Sequence, residues 1–309
     1  MAFKKINLDL YTKEIREKMN IFNRDELITK DLLLTLLLAE FQKEKDTFNE
    51  LIFKGGTLLS RNYLNYHRFS EDLDFVHKDS NKLRKLSRKQ RERQIKKFID
   101  EFTPKLKKIA VILSLDFNED RSNIKYCTII RKRAVYIFRL YYEKNNYIKI
   151  EINFVEEILN KPKESSVRNI TDFFDSKELM FILGLEINNF KVLSYPIEEI
   201  ILEKYRALLT RPKLMERDLF DLFLIKNSLK VDINKVIKKI KSSDLIKKGL
   251  NELIENNFRK LQTNEFFESD EKISDLAIVK HDLKGFINFK KKIKPILIDI
   301  CKLFLEKEK

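Results

Sequence analysis

FKGGTLLSRNYLNYHRFSEDLDF, residues 53–75, sets Gly55 and Gly56 side by side in a chain with five glycines in 309 residues. Sixteen residues after Gly56 the stretch reaches Asp72-Leu73-Asp74. Successive side chains of a strand point to opposite faces, so Asp72 and Asp74 share one face while Leu73 and Phe75 enter the core. Two carboxylates about 7 Å apart along a strand repel each other unless a cation joins them. Oxygen donors so arranged suit Mg²⁺ (or Mn²⁺), which is held by one or two carboxylates together with phosphate oxygens and water. On spacing alone, an exposed strand whose acids face water explains the pattern equally well.

The glycines shift that balance. Gly55-Gly56-Thr57 precedes a run of helical spacing from Leu58 to about Tyr66. Glycine lets the backbone approach a phosphate closely, and a helix N-terminus offers unpaired N–H groups. Thr57 either caps the helix or donates to a phosphate. Ser70 either binds phosphate or bonds its own turn. A plain tight turn accounts for the glycines but not for the paired aspartates. The G-x-x-x-x-G-K-[ST] spacing of a Walker loop is absent.

YIKIEINFV, residues 147–155, repeats the alternation. Ile148, Ile150, Ile152 and Phe154 take one face; Lys149, Glu151 and Asn153 take the other. Paired beside Asp72 and Asp74, this strand makes Glu151 a third carboxylate, and three carboxylates can hold two Mg²⁺ ions.

A hydrophobic content of 43% is enough for a real core, and Gly and Pro together make only 10 residues. Few turns and long elements follow: mostly helix with a limited sheet. The spacing predicts a helix from Asp31 to about Lys45, a short strand or the end of a turn at 51–53, and a basic helix running toward Phe102 until Pro104 interrupts it. Strands are expected at 111–117, 126–133, 134–142 and 147–155, joined as antiparallel hairpins. Helices follow Lys161-Pro162. The fold class is α+β, with a core over 1–160 and a helical domain over 161–309.

Leu32–Ala39 is too short an apolar run to span a bilayer, and MAFKKINLDL has no signal-peptide core, so a cytoplasmic protein with no membrane partner is expected. Cys127 and Cys301 are far apart, and the three histidines are scattered, so neither zinc nor a histidine base is suggested. The net charge of +15 points to a polyanionic partner. Residues 78–97 carry ten Lys/Arg against two acids, directly after the double-aspartate strand. A solvated helix face is the plainer account of such a run in isolation, and its position beside the double-aspartate strand weighs against that account here.

Lys204 has Ile200, Ile201, Ala207 and Leu208 as its helical neighbours. A lysine on an apolar stripe needs an anion or reaches out to water. Asp221 follows Arg217 by four residues, the spacing of a surface ion pair.

KGGTLL and RFSEDLDF together resemble the nucleotidyltransferase signature of the DNA polymerase β-like superfamily, and more closely that of the AbiEii/AbiGii toxin family. That family also carries Lys-x-x-Ala and Arg-Asp-x-x-Asp-Leu on a helix pair. Here these are Lys204 and Ala207 in EKYRALLTR, and Arg217, Asp218 and Asp221 in RDLFDL. The likeness spans roughly 30–225, with Thr57 in place of the usual serine and Glu151 as a third carboxylate in place of aspartate. It implies a nucleotidyltransferase core of mixed sheet flanked by helices, followed by a helical domain. The implied reaction moves a nucleoside monophosphate from an NTP to tRNA or another RNA and releases pyrophosphate. The implied setting is a bacterial toxin–antitoxin or abortive-infection system, with a cognate antitoxin as partner. Lys54, Gly55, Gly56, Thr57 and Ser70 would bind nucleotide, and Asp72, Asp74 and Glu151 would hold metal. Lys204 would offset triphosphate charge, and Asp221 would reach the same site. A non-catalytic nucleic-acid-binding protein on this fold, and a glycosyltransferase using Asp-x-Asp, are the alternatives. The Gly-Gly-Thr turn and Lys204 weigh against the second.

Overall fold

In the helix Asp25–Lys43, Leu32, Leu33, Leu34, Leu37, Leu38 and Phe41 are all buried, an apolar set too wide for a surface helix. This helix covers part of a seven-stranded sheet. The computed structural model describes residues 7–21, 24–130, 134–173, 175–184, 191–242, 249–263, 265–269, 277–278 and 282–306. The chain divides into two units, one of residues 1–156 and 162–195 and one of 157–161 and 196–309.

The first unit holds β1 (Leu51–Lys54), β2 (Asp72–His77), β3 (Cys127–Ile130), β4 (Val135–Tyr141), β5 (Tyr147–Asn153), β6 (Lys163–Ser166) and β7 (Lys191–Ser194). Their order is β3-β4-β5-β2-β1-β7-β6. The pairs β2/β5 and β1/β7 are parallel and the others antiparallel, so the sheet is mixed. Leu73, Phe75, Ile150, Ile152 and Phe138 lie on one face and are buried. Phe41 of the Asp25–Lys43 helix meets Phe75 at 6.1 Å between centroids, and Phe102 of the Arg88–Ile112 helix meets Phe138 at 5.4 Å. The opposite face carries the charges.

The structure differs from the sequence expectation in two places. Residues 111–117 are not a strand: the helix Arg88–Ile112 runs through Pro104, and beyond it only Asp116 bridges to Tyr141. Phe98, Phe102, Leu106 and Ile109 keep helical spacing across the proline, and their burial outweighs the lost N–H bond. The strand expected at 126–133 is described over Cys127–Ile130, residues 131–133 lying outside the described set. The sheet also gains β6 and β7 after residue 160, so the first unit runs on to Tyr195 rather than ending near 160. Both strands are four residues long, and the polar Lys163–Ser166 edge has no apolar alternation to announce it.

In the second unit, helices Ile197–Thr210, Glu216–Leu224, Ile233–Ser242, Leu250–Thr263 and Leu283–Glu306 bury Tyr205, Leu219, Ile240, Ile254, Ile293 and Ile300. A buried ion pair joins two of them: Lys239 Nζ lies 2.6 Å from Glu199 Oε1, with both side chains fully buried. Glu199 also accepts from the Leu159 and Asn160 main-chain N–H groups and so clamps 157–161 into this unit. Among the described residues, no helix is long and apolar enough to cross a membrane.

Candidate active site

The charged face of the sheet is a small checkerboard set by strand register. Lys54, Asp74 and Glu151 form one row across β1, β2 and β5; Asp72, Lys149 and Arg139 form the next across β2, β5 and β4. Glu151 therefore stands beside Asp74, as its alternation requires once β5 pairs with β2.

The two glycines answer to this row. Gly55 has φ +81°, and a Cβ on it would lie 2.2 Å from Asp74 Oδ2. A Cβ on Gly56 would lie 2.8 Å from Arg68 Nη2 and 3.1 Å from Ser70 Oγ. The bare backbone of the turn is thus what lets the Asp74 carboxylate and the buried Arg68 guanidinium close over it. Thr57 Oγ1 bonds Ser70 Oγ (2.9 Å) and the Asp72 main-chain oxygen, which ties the turn to β2. After Leu58 the helix widens into a π turn, Leu59–Tyr63, whose Arg61 is buried and pairs with Asp31 at 2.8 Å. That pair anchors the turn to the Asp25–Lys43 helix.

Lys149 Nζ lies 2.8 Å from Asp72 Oδ2 and 3.9 Å from Glu151 Oε2. Lys54 pairs with Glu156, which also accepts from the Tyr195 hydroxyl at 2.7 Å. Burial raises the Asp72 carboxyl above its ordinary value; Lys149 opposes this and Asp74 adds to it. Burial and the Asp74 charge raise Glu151 likewise, against Lys54 and Lys149. On Lys149, burial alone would favour the neutral amine, but Asp74 and Asp72 outweigh it and hold the ammonium charged. The alternation places Lys149 on this face without giving it a role. The Lys54–Glu156 pair leaves no signal along the sequence, because its members are 102 residues apart.

A hard divalent cation suits this donor set, since Asp72, Asp74 and Glu151 offer only oxygens. Among the described residues no three acidic, histidine or cysteine side chains are gathered closely enough to hold a metal as they stand, and the Lys149 ammonium lies among the carboxylates.

In the second unit, Lys204 Nζ lies 2.6 Å from Asp218 Oδ1 and 2.6 Å from Asp221 Oδ2, all three side chains being buried. The anion that the apolar neighbours of Lys204 call for is therefore supplied by the next helix. Asp221 is fully buried, which removes the surface-pair reading. Burial alone would raise the Asp218 carboxyl, but Lys204 and Arg211 outweigh it and hold it below its ordinary value.

The mixed sheet with a glycine turn closed on an Asp-x-Asp strand is the arrangement that the resemblance to nucleotidyltransferases implies, and the family comparison agrees. Residues 36–288 match the model of the nucleotidyl transferase AbiEii toxin, a type IV toxin–antitoxin family, and the chain belongs to that family. Its fold is similar to that of MenT4, a nucleotidyltransferase toxin from Mycobacterium tuberculosis, with a TM-score of 0.54 at 15% identity over 95% of this chain and 98% of that one. No curated protein matches the chain. Family membership sets aside both the glycosyltransferase and the non-catalytic readings.

Proposed function

We propose that the Asp72–Asp74–Glu151 face is the centre of a Mg²⁺-dependent transfer of a nucleoside monophosphate from an NTP to an RNA acceptor, tRNA or another RNA. The observation that carries this reading is the juxtaposition of Gly55 against the Asp74 carboxylate with Glu151 beside it in register. A bound divalent ion would activate the acceptor hydroxyl and neutralise charge that develops on the triphosphate.

The chain's own groups do the rest. The Gly55-Gly56 backbone, Lys54 and Ser70 hold and orient the phosphates, and Thr57, whose buried hydroxyl bonds Ser70 and the Asp72 main chain, fixes the turn that presents them. Asp72, Asp74 and Glu151 bind the ion, and one of them takes the acceptor hydroxyl proton. Lys204 and Asp221 are proposed, from the family motifs alone, to serve the same reaction. The protein would act in the cytoplasm as a growth-arresting toxin held in check by a cognate antitoxin.

The test is incubation with each labelled NTP, total cellular RNA and Mg²⁺. Label should enter RNA with the wild type and not with Asp72→Asn. Incorporation that persists in Asp72→Asn, or none with any NTP, would overturn the assignment.

A further inference from the structure

The carboxylates of the proposed centre already face a cation, and it belongs to the chain. Lys149 is the register partner of Asp72, with Nζ 2.8 Å from Asp72 Oδ2 and 3.9 Å from Glu151 Oε2. The Lys149 and Asp72 side chains are 29% and 38% exposed, so a ligand can reach the pair. Lys54, on the same face, is drawn toward Glu156 on the other side of the row. A divalent ion on Asp72 and Glu151 would stand next to the Lys149 ammonium, like charge beside like charge. Ion and ammonium therefore compete for the same oxygens. A polyanion removes the conflict, because phosphate oxygens accept the ammonium while the ion takes its place.

We propose that Lys149 is a resident counter-cation of the carboxylate cluster, which keeps out free divalent metal and turns onto the triphosphate when metal and NTP arrive together. This rests on reading the face as a metal-dependent triphosphate site. Lys149 is then a positioning residue that makes metal loading conditional on substrate.

The test is Mn²⁺ binding by calorimetry, without nucleotide, to folded wild type, Lys149→Met, Lys149→Gln, Lys149→Arg and Asp72→Asn. Removing one neighbouring charge should tighten Mn²⁺ binding about tenfold or more in the Met and Gln variants. The Arg variant should bind as weakly as the wild type. Equal affinities in wild type and both neutral variants, all lost in Asp72→Asn, would overturn the counter-cation role and leave the metal site standing. Binding that is insensitive to Asp72 throughout would overturn both. Should neither neutral variant fold, the wild type decides. Asp72-dependent Mn²⁺ binding as tight without nucleotide as with a non-hydrolysable NTP analogue would overturn the proposal.

Discussion

The Asp74 carboxylate fills the space that a side chain on Gly55 would need, with Oδ2 2.2 Å from the position of a Cβ there. Gly55 also has φ +81°, a conformation that costs an L-residue about 1–2 kcal/mol. Gly55→Ala therefore meets two penalties, and only one of them concerns the site. Gly249 separates them: its φ is +78°, but a Cβ there would find its nearest neighbour at 3.8 Å. Gly249→Ala should lose about 1–2 kcal/mol of stability and keep transfer. Gly55→Ala should displace Asp74 and lose transfer by about 100-fold, the usual scale of a 1 Å misplacement. Thermal melts and RNA labelling on the two variants make the comparison.

Asp74 also adds to the effect of burial on its neighbour's protonation. Glu151 is raised by burial and by the Asp74 charge, and metal binding needs its ionised form. Affinity for the ion should therefore rise with pH through a window above the ordinary carboxylate value of about 4. Asp74→Asn removes the like charge, so the Glu151 carboxyl of the metal-free protein should titrate lower. Side-chain carboxyl NMR against pH measures this directly. An unchanged Glu151 titration would show that Asp74 does not act on it.

Much of this site could be read along the chain. The face of Asp72, Asp74 and Glu151 follows from two alternating strands, and period-2 alternation is a local property. The parallel pairing of β2 with β5 is not local, since more than seventy residues separate Asp74 from Glu151. Glycine composition marked the turn, but the atoms that demand it belong to Asp74, Arg68 and Ser70. The strand expected at 111–117 failed because a short apolar run at a helix end looks the same as a short buried strand. Lys239 and Glu199 gave no signal because each has its partner on another helix, forty residues away.

The Lys204 cluster bears on stability as well as activity. Its ammonium sits between two buried carboxylates. Removing one member of such a group typically costs about 3–5 kcal/mol, so Lys204→Met should be strongly destabilised in urea. Any lost activity must be judged against that loss. Asp218 gives the sign of the pH dependence. Its folded value is held below the unfolded one, so its contribution is present above about pH 4 and is lost as pH falls through the folded value. Asp218→Asn should be less stable than wild type near neutrality and should show a flatter loss of stability toward acid. Denaturation midpoints between about pH 3 and 6 check this.

The acceptor is tested through residues 78–97, whose surplus of basic side chains lies just beyond β2. The structure sorts these residues. Arg84 donates to the Val155 carbonyl, so replacing it would disturb the end of β5 as well as the surface charge. Lys82 and Arg88 are exposed but pair with Asp79 and Glu92, which weakens their pull on a distant phosphate. Lys85, Lys89, Arg93 and Lys96 are exposed and are the better choice. If RNA lies along this surface, each neutralised phosphate releases counterions and steepens the salt dependence by about 0.7 in the log–log slope. Replacing all four with Ala should lower the slope by up to about 2.8 and weaken RNA binding most at low salt. NTP binding should be unchanged, because none of the four belongs to the charged face of the sheet. Filter binding across a salt series, with NTP affinity as the control, gives the comparison. Parallel slopes for wild type and variant would make this run a solvated helix face and send the search for the acceptor-binding surface elsewhere on the chain.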